Sequence, residues 1–513
     1  MILFKILLSR LSLFLFSCFL LLSITTDAQL VNPSFQTEKL WVDSVYNALT
    51  AQQRIGQLFM LRANSDIDSA EIRNLSRLIR DYNIGGLCFF KGGPIRQAIL
   101  TNYYQQLALT PLLISMDAEW GLGMRLDSTI SFPRQMTIGA MQNEMLISVY
   151  GQTIASQLKR LGVHVSFSPV ADINSNPANP VINIRSFGEH KEDVARKAIL
   201  YMKALQKGGI ITVAKHFPGH GDTDTDSHHT LPFIGHSAAV IDSLDLYPFK
   251  KLINAGLDGM MLAHLNIPAF DTTRNLPSSL SPLVTDSLLR KKLGFNGLIF
   301  TDALDMKGVS GYDAPGFVEL RALKAGADVL LLSVSVEKAL TAIQQAIDSG
   351  WYSQHELEVH CRKVLMYKYR AGLNDLKSIP IENLYDDLHT PYSENFSLEL
   401  YRNSVTVLRN ENNIIPVVIQ DTTRIATLMI GYDDIRKFQQ RINDFAQADH
   451  YTLPRNADKN EIEKIYKSLK AFNLILIGIN NTIPAPARNF GISEATVKLV
   501  DSLLVSKKCI LNL

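Results

Sequence analysis

From about Thr50 to Asp375 the chain alternates short apolar, β-branched runs with amphipathic stretches of helical length. The runs are Ile55–Arg62, Ile84–Phe90, Leu112–Asp117, Val163–Asp172, Ile211–Lys215, Gly259–His264, Leu298–Asp302 and Val329–Ser333. Between them the periodicity predicts helices, among them Asp66–Asp81, Gln142–Leu161, Lys191–Lys207, Ser237–Ala255 and Pro282–Leu293. Repeated strand–helix alternation implies parallel strands, because a crossover must carry the chain back before the next strand begins. Eight such units predict an α/β fold with a (β/α)8 TIM-type barrel over residues 45–375. A doubly wound open sheet is the alternative arrangement of the same elements. Polar residues favour the barrel. They gather where the runs end, at Asp117, Glu119, Asp172, Lys215, His216, His264, Asn266, Thr301 and Asp302, while the opposite ends are mostly glycine or aliphatic. Barrel enzymes place their chemistry at the C-terminal strand ends, and a barrel built for stability alone has no need of this asymmetry.

The alternation stops near Leu376. Pro380, Tyr385-Asp386-Asp387 and Pro391 read as a linker over 376–397. Residues 398–513 then read as a second, smaller α/β domain, a partial α/β sandwich after the barrel. Val405–Leu408, Ile425–Ile430 and Leu474–Ile477 are strand-like there, and Asp433–Gln447 and Asn460–Leu469 helix-like. Cys509–Leu513 starts a further apolar strand with no helix to close it, so this domain is expected to be incomplete.

Composition narrows the function. The 513 residues are 46% apolar and 19% charged, which suits large cores. A net charge of +2 with dispersed basic residues gives no electrostatic footprint for nucleic acid or anionic membrane. Residues 1–28 read as a signal peptide: Lys5 and Arg10 lead into the apolar stretch Leu11–Ile24, and Thr26-Asp27-Ala28 resembles a small-residue cleavage site. Removal after Ala28 and export to the periplasm are expected, with secretion or surface attachment as alternatives. An uncleaved anchor is the other reading of the same segment. Leu15-Phe16-Ser17-Cys18 resembles a lipoprotein box, but Cys18 lies inside the apolar run. No later run is long enough to cross a bilayer. Cys88, Cys361 and Cys509 are dispersed, without a CxxC pair, and read as small buried apolar residues.

The densest chemistry lies in Lys215–Pro232, KHFPGHGDTDTDSHHTLP, which follows the fifth run. His216 and His220 have the i, i+4 spacing of helix-borne zinc ligands, but Phe217-Pro218-Gly219 between them makes a helix there unfavourable. No metal or other cofactor is expected. Asp226-Ser227-His228 is an acid–base candidate: a carboxylate that accepts one imidazole N–H leaves the other nitrogen to move a proton. A solvated turn with an idle His228 is the plainer reading of that spacing. Asp302, in Phe300-Thr301-Asp302-Ala303-Leu304-Asp305-Met306, ends the seventh run and is placed for catalysis; an N-cap is its plainer reading. Asp305 is the competing carboxylate.

Taken together, KHFPGHGDTDTDSHHTLP and FTDALDM resemble the bacterial β-N-acetylglucosaminidases of glycoside hydrolase family 3. The resemblance extends to Asp117-Ala118-Glu119-Trp120-Gly121, Arg125, Ser168-Pro169-Val170-Ala171-Asp172 and Ile184-Arg185-Ser186-Phe187-Gly188, over roughly Thr50–Asp375. It implies that Asp302 is a nucleophile forming a glycosyl-enzyme, and that His228, oriented by Asp226, is the acid/base. It also implies that Asp117, Arg125, Arg185, Lys215 and His216 hold the sugar. Two positions depart from the family pattern. Trp120-Gly121-Leu122 replaces the usual Gly-Gly-Arg, and Ala303 stands where a second acidic residue is frequent. Trp120 has two readings, stacking on a sugar face or filling space.

The expected activity is retaining exo-β-N-acetylglucosaminidase action on carbohydrate, with peptidoglycan-derived glycans as the substrate source. Two alternatives remain: a β-N-acetylglucosaminide phosphorylase of the same fold, because a histidine acid/base does not repel phosphate as a carboxylate does, and a non-catalytic glycan-binding module.

Overall fold

The computed structural model describes residues 33–512 apart from 228, 433, 434 and 484. The proposed signal peptide therefore lies outside the described residues. Eight strands form the first sheet: β1 (Phe59–Ala63), β2 (Gly86–Phe89), β3 (Leu113–Met116), β4 (Val165–Ser166), β5 (Ile211–Phe217), β6 (Gly259–Leu262), β7 (Leu298–Thr301) and β8 (Leu330–Leu331). They are parallel, and β1 to β7 pair in chain order. Strand β8 pairs with β1 through Phe59↔Leu330 and Met60↔Leu331 and meets β7 at the bridge Phe300↔Val329, which brings the sheet round on itself. A doubly wound sheet would reverse its strand order partway; this one does not. Seven of the eight strands are buried at every position, as expected when both faces are covered. In β1 only Arg62 breaks the pattern.

Local sequence sets several helix ends. Asp68 Oδ1 accepts from the backbone N–H groups of Ala70 and Glu71 at 2.8 and 2.9 Å and starts the helix Ser69–Tyr82. Asn83, at φ 52°, ends it in the left-handed region that asparagine tolerates. Other elements differ from the periodicity. The first part of Ile55–Arg62 belongs to the helix Ala51–Gly56, capped by Thr50, so the strand starts only at Phe59. Ser237–Ala255 divides into Ala238–Ser243 and Leu246–Asn254. Pro282–Leu293 winds as a π-helix over Leu283–Lys292.

Residues 376–397 are not an open linker. They contain the helix Leu384–Leu388 and the first turns of Pro391–Ser404, and Leu384, Leu388, Phe396 and Leu400 are buried in the barrel-domain core. Two i, i+4 apolar pairs outweigh the turn-forming composition around them. A separate core surrounds the second sheet, ordered β10-β9-β11-β12, with β9 (Ile425–Ile430), β10 (Ala448–Leu453), β11 (Leu474–Ile479) and β12 (Lys508–Asn512), all parallel. Helices Lys437–Ile442 and Lys459–Leu469 accompany it. Val405–Leu408 is not a strand: it is irregular, with Val405 77% and Leu408 83% exposed. A β-branched run becomes a strand only where a sheet edge receives it. Strand β10 was hidden because His450 and Thr452 interrupt its apolar pattern.

Candidate active site

The C-terminal strand ends surround a cavity of about 270 Å³. Asp117, Arg125, Arg185, Lys215, His216 and Asp302 all line it, together with Phe90, His220, Ser227, Ala303 and Met306. They come from positions that follow β2, β3, β4, β5 and β7 or end those strands, so the barrel assembles them although the sequence scatters them.

A buried ion network holds one wall. Lys215 Nζ lies 2.7 Å from Asp117 Oδ1 and 2.8 Å from Glu119 Oε1. Arg185 forms a forked pair with Glu119, Nη2 to Oε1 at 2.6 Å and Nε to Oε2 at 3.0 Å. Arg125 pairs with the other oxygen of Asp117 and stacks on Phe90, its guanidinium carbon 4.4 Å from the ring centre. Burial alone would raise the Glu119 pKa, but Arg185 and Lys215 overcome it and hold the carboxyl at about 2. Asp117 goes further down by the same balance, with Lys215 and Arg125 against burial. Glu119 is the central residue that the site assignment omitted. Its signal was present: Asp117 and Glu119 are i, i+2, which puts both carboxylates on one side of an extended chain.

These shifts predict an acid limit. A carboxylate with a lowered folded-state pKa contributes stability above its unfolded value, near ~4.3 for Glu, and loses it as pH falls through the folded value. The thermal midpoint should drop as pH falls from about 4.5 towards 2, where Glu119 titrates in the folded protein. Glu119→Gln should remove part of that slope. A flat midpoint through this window would contradict the network.

The second wall carries Asp302. Its Oδ1 accepts from the N–H of Ala303 at 2.8 Å. Burial acts to raise its pKa, but His216, His264, the Ala303 N–H and Lys215 together bring it below the ordinary value. His264 Nε2 lies 3.1 Å from the Ala303 carbonyl, an acceptor, so Nε2 carries the proton and Nδ1 accepts from Ser279 Oγ at 2.7 Å. His216 Nδ1 lies 2.7 Å from Asp172 Oδ2. Asp305 instead pairs with Arg62 at 2.7 Å among exposed groups. Trp120 lies against Arg134, 5.0 Å from guanidinium carbon to ring centre, outside the ring of cavity-lining residues.

Asp226 is half-buried and is not among the residues that line the cavity. Its carbonyl accepts from His229 N and Thr230 N, both at 3.0 Å, which turns the chain there. Ser227, next to it, lines the cavity. His228 lies outside the described residues. Among the described residues no group of three or more His, Cys, Asp or Glu side chains is arranged to hold a metal ion.

Fold and site together define a barrel enzyme with a polar, ion-paired cavity at its catalytic end. The Glycosyl hydrolase family 3 N terminal domain matches residues 50–367. The chain is 31% identical over 427 residues to beta-hexosaminidase A of Pseudoalteromonas piscicida, covering 74% of this chain and 70% of that one. It is 34% identical over 321 residues to a beta-hexosaminidase of Nitrosomonas eutropha, covering 59% of this chain and 91% of that one. A family 3 beta-N-acetylglucosaminidase from Paenibacillus sp. superposes with a TM-score of 0.75 at 30% identity, covering 90% of each chain. The chain belongs to glycosyl hydrolase family 3. It is a glycoside hydrolase acting on carbohydrate, and its similarity lies with the β-hexosaminidases of that family.

Proposed function

We propose that this protein is a retaining exo-β-N-acetylglucosaminidase that releases terminal β-linked N-acetylglucosamine, with peptidoglycan-derived glycans as its substrate source. The observation that carries the reading is Asp302, a carboxylate kept ionised at the end of β7 in a cavity shared with Asp117, Arg125, Arg185, Lys215 and His216. A volume of about 270 Å³ is small for a ligand site and suits one sugar ring, which supports action at chain ends. The names of the β-hexosaminidase relatives support the choice of sugar.

In the first step Asp302 attacks the anomeric carbon, and protonated His228, paired with Asp226, gives its proton to the departing glycosidic oxygen. In the second, neutral His228 takes a proton from water, whose oxygen attacks the same carbon and frees Asp302. Two displacements retain the configuration. An unperturbed histidine titrates near ~6.5, so both protonation states are accessible near neutrality. The five polar wall residues hold the sugar hydroxyls and acetamido group through charge-assisted hydrogen bonds.

Water is favoured over phosphate as the acceptor by one feature. Each cation lining the cavity is already paired, Arg125 with Asp117, Arg185 with Glu119 and Lys215 with both. No lining cation is therefore left over for a phosphate dianion among the described residues. The test is turnover of an N-acetyl-β-glucosaminide beside a β-glucoside, with phosphate varied. Free N-acetylglucosamine of β configuration supports the reading. Sugar 1-phosphate that depends on added phosphate, or intact sugar after prolonged incubation, overturns it. His228→Ala should slow cleavage of substrates with poor leaving groups by about 10²–10⁴-fold, and unchanged turnover would remove His228 from the mechanism. The composition of the first 28 residues supports export; recovery with the periplasmic fraction, starting after Ala28, is the check, and recovery in the cytoplasm with residues 1–28 intact would contradict it.

A further inference from the structure

His220 is a buried histidine of the catalytic loop to which the reaction gives no task. Each ring nitrogen faces one hydroxyl: Nδ1 lies 2.7 Å from Thr223 Oγ1 and Nε2 lies 3.2 Å from Ser227 Oγ. The Thr223 hydroxyl also lies 3.1 Å from the His220 carbonyl. With its proton on that carbonyl, Nδ1 donates to Thr223 Oγ1 and Nε2 is a bare acceptor for the Ser227 hydroxyl. Asn179 Nδ2 braces the arrangement from outside, donating to the His220 carbonyl at 2.8 Å and to Thr223 Oγ1 at 3.2 Å. The backbone N–H of His220 donates to Asp172 Oδ1 at 2.7 Å, and the other oxygen of Asp172 takes His216 Nδ1. Burial, reinforced by His216, holds the His220 pKa down to about 4, which keeps the ring neutral at working pH.

Ser227 is where this arrangement acts. It stands between Asp226 and His228 and is 2% exposed. Its carbonyl accepts from Gly308 N at 3.2 Å, in the segment that follows Asp302. A Cβ at Gly308 would lie 2.9 Å from the carbonyl oxygens of both Ser227 and Thr230, so glycine alone permits this approach. The serine is thus gripped by its side chain from the β5 end and by its backbone from the β7 end.

We propose that His220, as a neutral Nδ1–H imidazole, is a positioning residue that acts through Ser227 to set the Asp226–His228 loop against the segment following the nucleophile. The proposal rests on the acid/base reading of His228. Once the loop is misplaced, proton delivery to the leaving oxygen suffers, whereas attack by Asp302 and sugar binding do not.

The experiment measures kcat and KM for N-acetyl-β-glucosaminides of graded leaving-group pKa. His220→Asn keeps a donor for Thr223 but offers nothing to Ser227; His220→Gln places an acceptor near the Nε2 position. His220→Asn and Ser227→Ala should lower kcat for a poor, sugar-like leaving group about tenfold, the scale of one lost hydrogen bond, with little loss for dinitrophenol and little change in KM. His220→Gln should retain more activity than His220→Asn. His220→Asn combined with Ser227→Ala should be no worse than Ser227→Ala alone. Equal losses for all leaving groups, losses in KM only, or additive losses overturn the proposal, since they indicate direct sugar contact or a general folding role. His228→Ala separates the two levels. If it shows the leaving-group dependence and the His220 and Ser227 variants do not, only the positioning role fails; if it shows none, the acid/base reading fails and the proposal with it. The ring nitrogens of unmutated His220 give a check independent of variant folding: ¹⁵N NMR should report protonated Nδ1 and bare Nε2 across neutral pH, and protonated Nε2 overturns the assignment.

Discussion

Asp302→Ala is expected to lower kcat for p-nitrophenyl N-acetyl-β-glucosaminide by on the order of 10⁴-fold or more while leaving the protein folded. The side chain is only half-buried and its carboxylate accepts from the adjacent Ala303 N–H, so the fold depends little on it. What it supplies is an anionic oxygen in the cavity. His216, the Ala303 N–H and Lys215 favour that anion against the cost of burial, which is the arrangement a nucleophile needs at working pH. The good leaving group of this substrate removes the need for acid assistance, so the loss reports on bond formation to the sugar. Circular dichroism and the thermal midpoint should match the unmutated protein. Turnover within tenfold of the unmutated rate would exclude Asp302 as nucleophile and return attention to Asp305, which the structure places in an exposed pair with Arg62.

Lys215→Ala should be the most destabilising change in the site, by about 3–5 kcal/mol, because it removes a partner from a buried charge network. Lys215 is 1% exposed and is the only cation within 4 Å of both Asp117 and Glu119 among the described ion pairs. Arg125 and Arg185 still hold one carboxylate each after the change, but the two buried anions lose the cation they share. Urea unfolding at neutral pH measures the loss. A change below about 1 kcal/mol, the scale of a surface pair, would mean that the two arginines suffice. The same variant should raise KM, since an emptied Nζ position also removes a donor from the sugar wall.

Much of the barrel was legible along the chain, for a physical reason. Strands buried on both faces read as continuous apolar runs, and polar side chains at their C-terminal ends stand out against such a background. Each of the eight runs contains all or part of one barrel strand. Glycine, proline and asparagine likewise mark turns by local backbone preference alone. The second domain was less readable. Lone β-branched runs such as Val405–Leu408 take their conformation from whichever edge receives them, and the half-polar β10 is a strand through its pairing with β9.

The local chain, then, already contained the alternation, the strand-end polarity and the Asp226–His228 spacing, since each depends on residues a few positions apart. It could not contain the wall of the cavity. Glu119 meets Arg185 across 66 residues and Asp117 meets Lys215 across 98, and only closure of the barrel sets which carboxylate faces which cation. The same closure made Glu119 the centre of the network, moved Trp120 aside and set Ser227 between His220 and Gly308. A charge's pKa and a hydroxyl's partner depend on distances of a few ångströms in space, and sequence separation carries no record of them.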